Sequence, residues 1–145
     1  MLKPAICFCC LMLIGLASAD WAAPQEHPAP SADVPQTAAR KLQEALGNGQ
    51  KILIIDVRSP MDYAAGHVPG AVNISFADFA KKFAELRVPK DTMIVTVCEH
   101  GGRSSRAALE LQKLGYKTSS FCTLDSWRKE EYKLETGAGK PRTRW

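Results

Sequence analysis

The amino-acid sequence predicts a single parallel α/β domain, on the basis of three observations. Two apolar runs, Ile52 to Val57 and Met93 to Val97, are rich in β-branched residues, as strands buried on both faces are. Segments with helical spacing of apolar residues alternate with these runs. The chain has 145 residues, 46% of them hydrophobic and 23% charged, which suits one globular core. We therefore expect a central parallel β-sheet flanked by helices.

The first 19 residues have the features of a secretory signal peptide. Lys3 supplies a positive charge, residues 4–16 form an uncharged apolar run, and residues 17–19 are a small-residue cleavage pattern. An uncleaved anchor is the alternative, although a membrane-spanning helix needs roughly 20 apolar residues. The prediction is an exported protein, periplasmic in a Gram-negative cell, with no membrane attachment after cleavage.

Three further segments complete the predicted organisation. Residues 20–36 are rich in Ala and Pro without a hydrophobic period, which predicts an extended linker. Residues 37–135 form the predicted domain, and residues 136–145 a basic C-terminal tail. The domain begins with a helix from Thr37 to Leu46, where apolar residues recur at helical spacing before two glycines.

The elements that follow the two predicted strands are mainly helical. Ser75 and Asp78 have the spacing of a capping box, which predicts a capped amphipathic helix that continues to Leu86. Behind the second strand, the apolar spacing predicts a helix from Ser104 to Leu114, and Thr118 to Leu124 is a plausible final strand.

The loop Cys98 to Arg103, CEHGGR, joins the second strand to a helix. In parallel α/β sheets, ligands bind where such loops leave the carboxyl ends of the strands. Gly101 and Gly102 permit positive φ angles, and the helix start adds a partial positive charge. The backbone amides of residues 99–104 can then surround the Cys98 sulfur and favour its thiolate, which is the nucleophilic form.

Two motifs resemble those of the rhodanese-like sulfurtransferases, over roughly residues 37–124. One is the loop CEHGGRS, residues 98–104, and the other is DVRSPMDYAAGHVPGAVNI, residues 56–74. The resemblance implies an exported single-domain member with a central parallel sheet. It also implies the roles of particular residues: Cys98 as the sulfur-carrying nucleophile; Glu99, His100, Gly101, Gly102, Arg103 and Ser104 around the substrate; Asp56 and Arg58 as loop support; and His67 as a structural residue.

The reaction that the resemblance implies is a double displacement. The Cys98 thiolate takes a sulfane sulfur from a donor such as thiosulfate or a persulfide, and a thiophilic acceptor such as cyanide or a thiol removes it. No metal or organic cofactor is expected. Related phosphatases and arsenate reductases have one more residue between cysteine and arginine, so the six-residue loop favours sulfur transfer.

The chain departs from the family pattern at two places. Thiosulfate-using members commonly have arginine after the cysteine, whereas Glu99 here places a negative charge near an approaching dianion. His100 is mostly neutral at pH 7 and would not offset that charge, so thiosulfate is expected to be a poor donor. The family's glycine pair before a tryptophan is also missing, since this chain reads CTLDSW at residues 122–127.

Removal of the signal peptide leaves two cysteines, Cys98 and Cys122. In an exported protein two cysteines commonly form a disulfide, although a cysteine in a strand is most simply a small buried residue. A thiol redox protein and a non-catalytic rhodanese-like binding module are therefore alternatives to the enzyme. The chain has no CxxC pair, which weighs against the redox protein.

The net charge of +4 is too small to indicate nucleic-acid or lipid binding. The expected partners are a small-molecule sulfur donor and acceptor, and the sequence leaves the oligomeric state open. Arg103 keeps its charge at any physiological pH and can bind a sulfonate-like oxyanion; a solvated helix arginine is the alternative.

Overall fold

The computed structural model describes residues 28–140, so the predicted signal peptide and the last five residues lie outside the described residues. Within this range, helices and strands alternate along most of the chain. The helices are α1 (Ala39–Gly47), α2 (Pro60–Ala65), α3 (Phe79–Glu85), α4 (Gly102–Lys113) and α5 (Leu124–Lys129), and the strands are β1 (Leu53–Asp56), β2 (Val72–Asn73), β3 (Ile94–Cys98) and β4 (Ser120–Thr123).

The four strands form one parallel sheet in the order β2-β1-β3-β4. The predicted parallel sheet with flanking helices is thereby confirmed. Asp56 is in register with Val97, and Cys98 is in register with Thr123. The carboxyl ends of β1, β3 and β4 are therefore level, and the residues that follow them meet at one edge of the sheet.

Both faces of the sheet are covered, which explains why β1 and β3 are continuous apolar runs. Ile54 and Val97 lie on the face that packs against α1 and α5. Leu53 and Ile55 lie on the other face, against α3 and α4. Every residue of β1 and β3 is buried, and each buried aliphatic side chain stabilises the fold by about 1.5–3 kcal/mol.

Two helical segments between β1 and β3 differ from the predictions. Helix α2 was not predicted, although Ser59 caps it by accepting from the Asp62 amide and Pro60 occupies its first position. The predicted cap at Ser75 is wrong, because its side chain makes no capping hydrogen bond. A 3₁₀ turn at Phe76–Asp78 follows Ser75 instead, and α3 begins after it.

Residues 28–36, which the sequence assigns to a linker, pack on the domain. The Phe121 amide donates to the Pro35 carbonyl over 3.2 Å, and the Thr37 amide donates to the Phe121 carbonyl over 2.8 Å. Val34 is buried against Ala108 and Phe121. Strand β4 ends the sheet and has unpaired backbone groups, which this segment satisfies.

Residues that follow position 135, which the sequence assigns to the tail, also contact the domain. The His67 and Glu135 backbones pair in an antiparallel bridge, and the Gly137 amide donates to Ala64 over 2.8 Å. Gly139 lies against the Tyr63 ring, so close that a Cβ there would be 2.3 Å from the Tyr63 hydroxyl. Residues 136–140 of the predicted tail therefore pack on the domain. Within residues 28–140, no helix is long and apolar enough to cross a membrane.

Candidate functional site

Cys98 is the last residue of β3, and its sulfur lies at the start of α4. The amides of Gly101 and Ser104 donate to Sγ over 3.2 and 3.4 Å, and the Ser104 hydroxyl is 3.2 Å from it. Gly101 has φ 99°, a left-handed conformation that turns its amide toward the sulfur. The two amides therefore direct the positive ends of their dipoles at the sulfur.

The start of α4 is held rigidly beside the sulfur. The Ser104 carbonyl accepts from the Thr96 hydroxyl over 2.7 Å, which ties the helix to β3. The Ser105 amide donates to Gly101 over 2.8 Å and closes the first helical turn. Helix α4 begins two residues earlier than predicted, at Gly102, so its partial positive charge lies next to Cys98.

Cys98 borders a small cavity of about 20 Å³, room for a single water molecule. The cavity is lined by Glu99, His100, Gly102 and Arg103, together with Pro28. Cys98 itself is only 2% exposed. The structure therefore brings the predicted loop residues around one sulfur, but it leaves no space for a sulfur donor.

Residues 28–31, the covering segment, close this cavity. The Pro28 carbonyl oxygen is so close to Gly102 that a Cβ there would be 2.0 Å from it. The Ser31 amide donates to the Ser105 hydroxyl over 2.8 Å. A ligand therefore reaches Cys98 only after the covering segment moves. The sequence offered no signal for this contact, because a Pro-rich segment is typical of linkers.

Asp56 and Arg58 form a buried ion pair beneath the loop. Nη2 of Arg58 lies 2.7 Å from Oδ2 of Asp56 and 2.6 Å from the Gly66 carbonyl oxygen. Nη1 of Arg58 lies 3.4 Å from Oε2 of Glu99. Both residues of the pair are nearly inaccessible to solvent, so each charge depends on the other. The pair therefore connects the end of β1 to the loop that follows β3.

Glu99 is paired on both sides, which removes the expected unbalanced charge. Its second carboxylate oxygen contacts the Arg128 guanidinium, which extends from α5. Next to it, Nδ1 of His100 lies 2.5 Å from Asp125, also on α5. The structure places Arg128 and Asp125 beside the loop, and neither was among the predicted site residues. No local pattern could have found them, because only the fold brings α5 to the loop.

Arg103 follows Gly102 in the first turn of α4 and lines the cavity. Among the residues that the structure describes, none forms a hydrogen bond or ion pair with its guanidinium. The oxyanion role of Arg103 stays a prediction.

Cys122 lies on the strand beside Cys98 but on the opposite face of the sheet. It is in register with Val97 and packs with it in the core between the sheet, α1 and α5. Both thiols are free. Burial raises the pKa of the Cys122 thiol, and hydrogen bonds to Ser126 and Thr123 only partly offset that effect. A disulfide between Cys122 and Cys98 would require one of the two side chains to move to the opposite face of the sheet. This argues against the redox alternative.

His67 is fully buried and stacks on the Tyr63 ring, with centroids 3.7 Å apart. Its Nδ1 lies 2.8 Å from the Tyr63 carbonyl oxygen. These contacts agree with the predicted structural role.

Burial raises the pKa of the Tyr63 phenol, and the nearby carboxylates of Asp56 and Glu135 raise it further. Within the described residues, no group of acidic, His and Cys side chains is arranged to hold a metal.

The fold and the site together define a parallel α/β protein with one loop cysteine whose sulfur accepts hydrogen bonds from backbone amides. Residues 38–129 match the family model for the rhodanese-like domain, so the chain belongs to the rhodanese-like family. This confirms the resemblance that the two motifs indicated.

Several relatives carry sulfurtransferase names. The chain is 33% identical over 115 residues to the thiosulfate sulfurtransferase GlpE of Pseudomonas fluorescens, covering 74% of this chain and 94% of that one. It is 30% identical over 78 residues to a sulfurtransferase of Allochromatium vinosum, covering 54% and 71%. The human single-domain sulfurtransferase TSTD1 has a similar structure, with a TM-score of 0.56, 26% identity and coverage of 68% and 98%. These similarities support sulfurtransferase activity in general.

Proposed function

We propose that this protein moves a sulfane sulfur from a donor to a thiophilic acceptor through a persulfide on Cys98. The observation that carries the proposal is the environment of the Cys98 sulfur, which accepts hydrogen bonds from two backbone amides at the start of α4. The same donors suit a thiolate and a persulfide anion, since both carry one negative charge on sulfur.

The first half-reaction consumes the donor. The Cys98 thiolate attacks the outer sulfur of thiosulfate, a new S–S bond forms, and the S–S bond of thiosulfate breaks. Sulfite leaves with the electron pair of that bond. Arg103, which lines the cavity, would bind the sulfonate oxygens during this step.

The second half-reaction regenerates the thiolate. A nucleophile such as cyanide or a thiolate attacks the outer sulfur of the persulfide, and the Cys98 sulfur leaves with the bonding pair. The amides of Gly101 and Ser104 stabilise the returning negative charge. Every step is a displacement at sulfur, so none requires a cofactor.

Thiosulfate is a reasonable first donor on two grounds. The Pseudomonas fluorescens relative, matched over 94% of its length, is named a thiosulfate sulfurtransferase. Glu99, which suggested poor thiosulfate binding, is paired with Arg58 and Arg128. A persulfide remains an alternative donor for the same thiolate.

We further propose that the protein is exported, with cleavage after Ala19. The basis is the positive residue, the apolar run and the small-residue pattern in residues 1–19. Expression of the full chain in a Gram-negative host should give a periplasmic form whose intact mass begins at Asp20. A chain of full mass in the membrane fraction would contradict cleavage.

The decisive experiment is the intact mass of the purified protein after incubation with thiosulfate, and separately with a persulfide. We expect a gain of one sulfur atom that cyanide then removes as thiocyanate. Cys98→Ser should lose the gain, and Cys122→Ser, the matched control, should keep it. If neither donor adds sulfur to the protein, the proposed transfer is wrong and a binding role takes its place.

A further inference from the structure

Glu99 lies between two arginines whose surroundings differ. Arg58 is buried and already paired with Asp56, at 2.7 Å, so the Asp56 carboxylate balances its charge. Arg128 lies at the surface on α5, and among the described residues its guanidinium contacts only the Glu99 carboxylate. Arg128 is therefore the group whose charge balances that of Glu99.

The charges near the cavity can be counted from these contacts. Asp56, Arg58, Glu99 and Arg128 form a chain of alternating sign that sums to zero. Two further groups lie beside this chain: the Asp125 carboxylate, in contact with His100, and Arg103, which adds a positive charge at the cavity. Without Arg128, the chain would carry a net negative charge on Glu99, which lines the cavity next to Cys98.

We propose that Arg128 is a specificity-determining residue that allows anionic sulfur donors to reach Cys98. The inference rests on the proposed function, and it identifies the donor class as small sulfonate-like anions. Arg128 acts through Glu99, whose repulsion of an approaching anion it cancels, while Arg103 faces the ligand. Coulomb repulsion grows with the charge of the ligand, so a dianion should depend on Arg128 more than a monoanion does.

Two donors with the same chemistry test this charge dependence. Thiosulfate is a dianion and methanethiosulfonate a monoanion, and each transfers its outer sulfur. At low ionic strength we expect Arg128→Gln to lower kcat/KM about fivefold to tenfold for thiosulfate and about twofold to threefold for methanethiosulfonate. Arg128→Lys should restore most of the rate. The neighbouring cation on the same helix provides the matched control, as Lys129→Gln.

A double variant tests whether Arg128 acts through its ion pair with Glu99. If Arg128 acts by balancing Glu99, Glu99→Gln combined with Arg128→Gln should return the ratio of the two donor rates to its wild-type value. Salt should shrink the difference between Arg128→Gln and wild type, because the ion pair is partly exposed to solvent.

Alkylation of Cys98 tests the same electrostatic effect on an approaching reagent, without sulfur transfer. Iodoacetate is anionic and iodoacetamide neutral, and both react with the same thiolate. Arg128→Gln should lower the ratio of the iodoacetate rate to the iodoacetamide rate about threefold, and Glu99→Gln should raise it. Cys122 is buried on the opposite sheet face, and peptide mapping confirms which thiol reacts.

The two failures can be told apart. If the wild type transfers sulfur but neither the donor ratio nor the alkylation ratio changes in Arg128→Gln, the specificity role is overturned and the proposed function stands. If no donor yields a persulfide, the proposed function fails and with it the role in donor selection, even where the alkylation ratio responds.

Discussion

Cys98 and Cys122 lie on neighbouring strands, yet their surroundings give the two thiols different chemistry. Cys98 is at the end of its strand, where the amides of Gly101 and Ser104 point at the sulfur. Cys122 is one residue earlier in register, on the opposite face, and is enclosed by apolar side chains. We therefore expect one residue of register, together with the loop that follows Cys98, to decide which thiol reacts.

The buried Cys122 thiol should make the protein less stable at alkaline pH. Burial raises its folded-state pKa, so the unfolded thiol loses its proton first, near pH 8.5. Stability from the neutral thiol is therefore complete below that pH and falls as pH rises toward the folded-state pKa, by up to about 1.4 kcal/mol per pH unit. Urea unfolding under reductant from pH 7 to 9.5 should show a shallower decline for Cys122→Ala than for wild type. Parallel declines in the two proteins would contradict this assignment.

At the scale of elements, the covering segment and α4 together control access to the sulfur. Glycine at positions 101 and 102 lets the segment approach the loop closely, and a side chain at 102 would meet the Pro28 carbonyl. One hydrogen bond, from the Ser31 amide to the Ser105 hydroxyl, ties the segment to the helix. Closure thus depends on few contacts, and segments held by few contacts open readily.

Loss of that tie should expose Cys98 more often. Ser105→Ala removes the acceptor, and one hydrogen bond contributes about 1 kcal/mol, so alkylation by iodoacetamide should be about fivefold faster. Ser31→Pro removes the donor and should act in the same direction. Ser75→Ala, whose side chain makes no capping bond, provides the control. Equal alkylation rates in all four proteins would mean that the covering segment does not limit access.

At the scale of the whole molecule, α5 joins the core to the site. Trp127 is fully buried between the sheet and α1. Its ring packs edge-on against the Tyr132 ring, with the ring centroids 5.1 Å apart. On the same six-residue helix, Asp125 and Arg128 contact the loop residues His100 and Glu99. Packing of Trp127 in the core therefore positions the charged side chains of Asp125 and Arg128 beside the loop.

Trp127→Ala should lower the stability of the fold and also change the electrostatic environment of Cys98. Truncation of a buried tryptophan costs about 3–5 kcal/mol, measurable by urea unfolding at pH 7. Because α5 loses its anchor, the ratio of iodoacetate to iodoacetamide alkylation should shift in the same direction as in Arg128→Gln. Met61→Ala, at a side chain 80% exposed, should change stability by no more than about 0.5 kcal/mol. A stable Trp127→Ala protein would show that this packing contributes little.

The sequence predicted the elements whose signals are local. The buried strands, the helices after residues 37 and 104, and the cysteine loop follow from periodicity and from the glycines that permit its turn. The short elements α2 and β2 carry too few residues for a period, and the cap at Ser75 failed because a 3₁₀ turn satisfied the local backbone instead. The same limit applied to residues 28–36, whose backbone pairs with an edge strand far along the chain.

By itself, the sequence determined the fold class and the family and predicted the nucleophile, because these depend on residue types at short spacing. Only the tertiary structure decided that Glu99 is balanced by Arg128, that Pro28 covers Cys98, and that the two cysteines face opposite sides of the sheet. Each of these facts joins residues that are distant in the chain. Their contact depends on strand order and helix packing, which no local spacing records.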